Sequence, residues 1–198
     1  MINLENQSVA TRCDSDKPLA EGAKGITATL MSKVFSSQAQ GTLLAYPQLA
    51  YSEGSGRMTL ATLVETYGRA SIVSALQLAI MDIAQFVGGS PEPQTIVSVA
   101  GQCAGLIVSD FPGIKPSEVS LFCARFKRGD YGECYKFTGQ VIMTAWGKFK
   151  RDRDQERFAL WRAEQSEKTR RMLEDPAVVT DPAKIEEIAA RAAGGMHG

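Results

Sequence analysis

Phe122-Cys-Ala-Arg-Phe-Lys-Arg-Gly-Asp-Tyr-Gly-Glu-Cys-Tyr-Lys-Phe-Thr-Gly-Gln-Val-Ile-Met-Thr-Ala-Trp146 is the stretch on which the reading of this chain turns. It predicts a helix that ends in three cations, Arg125, Lys127 and Arg128, where positive charge complements the helix dipole. Gly129 and Gly132 then mark a tight turn that carries Tyr131 and Tyr135, because glycine takes backbone angles closed to other residues. Thr138 opens a second helix with Val141, Ile142 and Trp146 on its inner face. The pattern is an ordered helix–loop–helix with basic and aromatic groups at one corner. The angles set Arg125 and Lys127 on opposite flanks of the Phe122/Phe126 stripe and Arg128 away from it, so all three are expected to reach solvent.

Working outward, the preceding segments also read as helices. Between Arg69 and Val87, the residues Ile72, Leu76, Ala79, Ile80, Ile83 and Phe86 recur at helical spacing, and Gly88-Gly89 stops the run. Ser90-Pro91-Glu92 then reads as a start signal, with Ser90 as cap and Pro91 in the first turn. That helix runs to about Phe111, with Ile96, Ala100, Cys103, Ala104 and Ile107 inward, and Pro112-Gly113 closes it. Pro116-Ser117-Glu118 begins the next, with Val119, Phe122 and Phe126 on one stripe.

The helix from Thr138 is the longest and is predicted to reach Glu174. Ile142, Ala145, Trp146 and Phe149 share its first apolar stripe. Phe158, Trp161 and Met172 lie about 120–140° round the axis from it. Two readings of this second stripe stay open: Trp161 packs on the N-terminal segment, or it forms a seam for a partner or a second copy. A short terminal helix follows, with Asp181 as cap, Pro182 in the first turn, Ile185 and Ile188 inward and Gly194-Gly195 as stop. The first 56 residues hold few large apolar groups, apart from weakly helical Ile26, Leu30 and Val34. They are expected to form a loosely held arm with short helices, since little burial does not offset ordering entropy.

The fold class is therefore all-α. A compact four-helix core over residues 57–150 carries the arm at 1–56 and a charged helical extension with the short terminal helix at 151–198. No period-2 alternation long enough for a strand occurs. The chain has 198 residues, with 22 basic and 22 acidic groups and no net charge, so any polyanion footprint has to be local. Cys13, Cys103, Cys123 and Cys134 form no Cys-x-x-Cys pair, and the only histidine is His197, so neither a metal nor a cofactor is expected. No secretory pattern opens the sequence, and no run approaches the roughly 20 apolar residues of a membrane span. The reading is a soluble protein of a bacterial cytoplasm or a virion, with buried thiols rather than disulfides.

From Leu63 to Arg157 the order of features resembles a known family. It comprises Leu63-Val-Glu-Thr-Tyr-Gly68, then Asp82-Ile83 within an apolar helix, then Ser109-Asp-Phe-Pro112, then the Phe122–Tyr135 stretch, then Gly139-Gln-Val-Ile142 and Trp146. It is similar to an uncharacterised family of small helical proteins from bacterial mobile elements and tailed phages. The hallmark there is a basic-Gly-x-Tyr-Gly-x-x-Tyr corner followed by a Trp-bearing helix. The resemblance covers about half of the chain and implies a fold and a genomic setting, not a reaction. The chain departs from it in its long N-terminal arm and at Phe137-Thr138.

The candidate binding residues for nucleic acid or a partner are Arg125, Lys127, Arg128, Tyr131, Tyr135, Lys136, Lys148, Lys150 and Arg151, and the candidate seam is Phe158, Trp161 and Met172. Lys/Arg clusters contact phosphates and exposed tyrosines stack on bases. The competing reading is a solvated helix end with at least one tyrosine buried for structure. Cys123 beside Arg125 and Lys127 suggests a lowered thiol pKa, but no histidine base accompanies it. The expectation is a non-enzymatic binding protein of a phage or mobile element, a DNA-replication accessory or helicase-loader-like adaptor docking through the corner. The alternative is a structural or packaged virion protein acting through its arm and C-terminal helix. A protein partner is expected, nucleic acid and self-association stay open, and a membrane is not expected.

Overall fold

The computed structural model describes residues 17–52, 58–87 and 91–174, together with 182–183, 186–187 and 189–190. The structure is all-helical across them. In order the helices are α1 (Lys17–Lys33), α2 (Ser37–Ala45), α3 (Gln48–Tyr51), α4 (Leu60–Tyr67), α5 (Arg69–Ile83), α6 (Pro93–Asp110), α7 (Pro116–Arg128) and α8 (Gly139–Glu174), with a 3₁₀ turn at Ala84–Phe86. The chain divides into two units, one ending at Trp146 and the other starting at Gly147.

The first unit is organised around α5. Ile72, Ala75, Leu76, Ala79, Ile80 and Ile83 are all essentially inaccessible and share one broad face of α5, about 140° wide at 100° per residue. It packs on α6, α1, α4 and α7. A helix that meets four neighbours needs such a wide apolar face. Trp146 closes the core at the start of α8, edge-on to Phe122 at 5.0 Å and tilted against Phe111 at 5.7 Å. Such aromatic pairs add about 0.5–1.5 kcal/mol beyond the area they bury.

Across residues 17–52 the expected loose arm is not what forms. Ile26, Leu30, Phe35, Leu43, Ala50 and Tyr51 are core residues, and α1, α2 and α3 pack against α4, α5 and α7. Each fully buried large apolar side chain stabilises by about 1.5–3 kcal/mol, enough together to offset the ordering of these short helices. Polar ties fix the register. Ser120 Oγ donates to the Val34 carbonyl at 2.6 Å and Ser117 Oγ to that of Ala50 at 3.0 Å. Lys115 Nζ donates to the Ser52 carbonyl at 2.8 Å. The composition misleads because few apolar residues suffice when each is buried.

Helix starts differ in detail from expectation. α6 begins at Pro93, not Pro91: Glu92 is extended at φ −60°, ψ 141°, and Pro93 occupies the first turn where its missing N–H costs nothing. Ser90 and the Gly88-Gly89 stop lie outside the described residues, as do Asp181, Ile185, Ile188 and Gly194-Gly195. α7 starts as expected, the Glu118 carboxylate accepting the Lys115 backbone N–H at 2.8 Å. Thr138 caps α8, its Oγ1 accepting the Val141 N–H at 3.3 Å, so Val141 stands at the helix start and is half-exposed rather than core.

The second unit starts at Gly147. Within it α8 continues unbroken to Glu174. Phe149 and Arg153 are buried, and from Asp154 onward no described α8 side chain is. No helix among the described residues is long and apolar enough to cross a membrane.

Candidate functional site

The corner between α7 and α8 is built by α7's C-terminus. Gly129, at φ 87°, is left-handed, and its N–H bonds the Phe126 carbonyl while the Asp130 N–H bonds that of Arg125, at 3.0 and 3.1 Å. This six-to-one and five-to-two pair is a Schellman motif, and its left-handed position suits glycine. Gly132, at φ 99°, gives the second reversal.

The expected row of solvent-facing cations is not present. Arg125 is 7% exposed, because α7 is enclosed on nearly every side between Val119 and Phe126. Lys127 is turned inward: its Nζ is in ion-pair contact with Asp82 on α5 and donates to Gln40 Oε1 on α2 at 2.9 Å. The same ammonium lies 5.3 Å from the centre of the Phe86 ring. Only Arg128 reaches solvent, and Asp130 holds it through Nε–Oδ1 at 2.7 Å. The Arg128 guanidinium holds the Asp130 carboxyl below the usual carboxylate range, with a smaller contribution from Arg125. A depressed folded pKa means that this pair stabilises above the ordinary carboxylate value and that its contribution is lost as pH falls through the lowered one.

The two tyrosines part company. Tyr131 is buried, its ring stacked on Phe122 at 5.9 Å, and it belongs to the core. Tyr135 is 70% exposed, and its hydroxyl hydrogen-bonds the Glu133 carboxylate, which raises its pKa. Lys136 beside it is exposed. The open rim of the corner is therefore Arg128, Asp130, Glu133, Tyr135 and Lys136, which is close to charge-balanced.

The two buried thiols, Cys103 and Cys123, are not activated. Burial pushes Cys123 up to about 12 even with Lys127 near, and its Sγ donates to the Ala79 carbonyl at 3.8 Å. Burial pushes Cys103 up to about 11. Cys134 is half-exposed, its Sγ near the Gly132 carbonyl at 3.7 Å.

In the second unit Lys148 and Arg151 are exposed and Lys150 half-buried. Phe158 and Trp161 are each 48% exposed and Met172 42%. The two rings stack on each other at 5.9 Å and 24°, and the Arg162 guanidinium lies 4.8 Å from the Phe158 centre.

Sequence reasoning missed Asp82 as the partner of Lys127. The two are 45 positions apart, and no local pattern announces such a pair. Arg162 was also missed, although its place next to Trp161 was a readable signal. Compared with models of protein families, with curated proteins and with solved structures, the chain shows no significant match.

Proposed function

We propose that this chain is a non-enzymatic binding protein of a phage or mobile element, an adaptor in DNA replication or processing that docks a protein partner through the rim of the α7–α8 corner. The observation that carries the reading is the fate of the corner's charges. Arg125 and Lys127 are spent inside the fold and Arg128 is held by Asp130, while Tyr135 is left 70% exposed. A rim with an open aromatic ring and balanced charge suits a protein surface, where tyrosine anchors contacts. Phosphate binding needs an uncompensated cluster. The setting rests on the sequence resemblance.

The test is affinity capture from host cells that carry the neighbouring genes, with the Tyr135→Ser/Lys136→Ser variant as control. The expected result is a partner of the replication machinery held by the original chain and not by the variant, with unchanged circular dichroism. Identical capture by both would overturn the corner. Capture of portal or capsid proteins instead would favour the virion reading, for which the exposed Phe158/Trp161 surface of α8 is the supporting observation.

A further inference from the structure

The outer part of α8 sorts its charges. At about 100° per residue, Arg151, Phe158, Trp161, Arg162, Lys168 and Met172 fall within roughly 60° of one line along the helix. By the same angle Asp152, Glu156, Glu164, Glu167 and Glu174 all lie roughly 100° or more away from that line. Only Asp154 shares the aromatic side, and Arg153 holds it at 2.8 Å. On the far side Glu167 is engaged by Arg170 and Arg171, at 2.9 and 3.0 Å, which lowers its pKa. Arg151, Arg162 and Lys168 form no ion pair among the described residues.

From this sorting we infer that the aromatic–basic face of α8 is a binding surface for single-stranded nucleic acid. The Phe158 and Trp161 rings, stacked at 5.9 Å and half-exposed, offer a flat π-surface on which bases of any sequence stack. Arg151, Arg162 and Lys168 span roughly 25 Å of helix at 1.5 Å per residue and track the phosphates. Charge decides against one alternative occupant and the exposed rings against another. A second copy laid on the same face in a two-fold pair would set this basic face against itself, and like charges oppose that pairing. An acidic peptide would satisfy the cations but leaves the two exposed rings unexplained. The net neutrality of the chain keeps the footprint local to this helix. The surface uses none of the residues of the rim, so the proposal goes beyond the docking function and stands or falls apart from it.

The test is anisotropy of labelled oligo(dT) titrated with the full chain at low salt. Saturable binding is expected, with quenching of tryptophan fluorescence. Trp161→Ala should weaken it about tenfold, the scale of removing one base–aromatic stack. Arg151→Ser/Arg162→Ser/Lys168→Ser should flatten the salt dependence by about 0.7 log–log units for each phosphate that is no longer neutralised. Tyr135→Ser/Lys136→Ser should bind as the original does, which keeps this result separate from failure of the corner. All three variants change exposed side chains, and circular dichroism checks that each is folded. Absence of binding at low salt would overturn the proposal. So would Trp161→Ala binding unchanged, or polyglutamate competing as well as unlabelled oligo(dT), the result that identifies an acidic protein partner.

Discussion

α7 and the outer part of α8 carry the same ingredients, basic side chains beside aromatic rings, and put them to opposite uses. On α7, Lys127 meets a carboxylate from α5, an amide oxygen from α2 and the face of Phe86, and is only 14% exposed. On α8, Arg162 meets only the ring of Phe158 on its own helix, and Arg151 and Lys168 meet no carboxylate among the described residues. The difference is in the company and not in the composition. A cation enclosed by neighbouring helices becomes a strut, because burial demands that it be matched. One whose own helix turns its acids away stays available to a ligand.

The strongest way to break that comparison is to remove the company. A chain beginning at Met58 loses Gln40, Phe35, Leu43 and Tyr51 from around α7, along with Ile26 and Leu30 against α5. At about 1.5–3 kcal/mol for each large buried side chain, the loss is comparable to the roughly 5–15 kcal/mol stability of a typical domain. The shortened chain should show no cooperative denaturant transition; a sharp transition close to that of the full chain would mean that α1–α3 are dispensable after all.

The next largest contrast is between the two tryptophans. Trp146→Ala should cost about 3–5 kcal/mol in urea melts, since its ring is 1% exposed and wedged between Phe111 and Phe122. Trp161→Ala should change stability by no more than about 0.5 kcal/mol, as surface positions do. Equal effects would show that α8's outer face is structural.

How much of this was legible follows from the same physics. Periodicity placed α5, α6, α7 and α8 within a few residues, because each has apolar groups at helical spacing and a glycine or proline stop. It also identified Trp146 as core and Phe158, Trp161 and Met172 as a separate stripe. It failed on α1–α3, where Phe35, Leu43 and Tyr51 are too sparse to make a periodic signal yet each fills a place in the core. It failed on Arg125 and Lys127 too. Angles on one helix tell which way a side chain leaves the axis, not whether another helix is waiting there.

The smaller of the two contrasts sharpens the strut reading. Asp82→Asn should destabilise by about 1.5–3 kcal/mol, the worth of a hydrogen bond to a charged group, by leaving the part-buried Lys127 without its counter-charge. Arg162→Ser should leave stability within about 0.5 kcal/mol, since the side chain is exposed. Should Asp82→Asn be neutral, Gln40 and Phe86 alone would hold the ammonium.

The inert thiols give the molecule a built-in clock. Cys123 sits on α7 with its sulfur on the Ala79 carbonyl of α5, and Cys103 lies on α6 beside the start of α8. Neither can be alkylated while shielded and protonated, so each reacts only in the moments when its own helix lifts away. Under native conditions, the labelling rate of Cys123 reports how often α7 and α5 separate, and that of Cys103 how often α6 loosens. Two rates that agree would mean that the first unit opens all at once; two that differ would resolve it into parts that breathe independently.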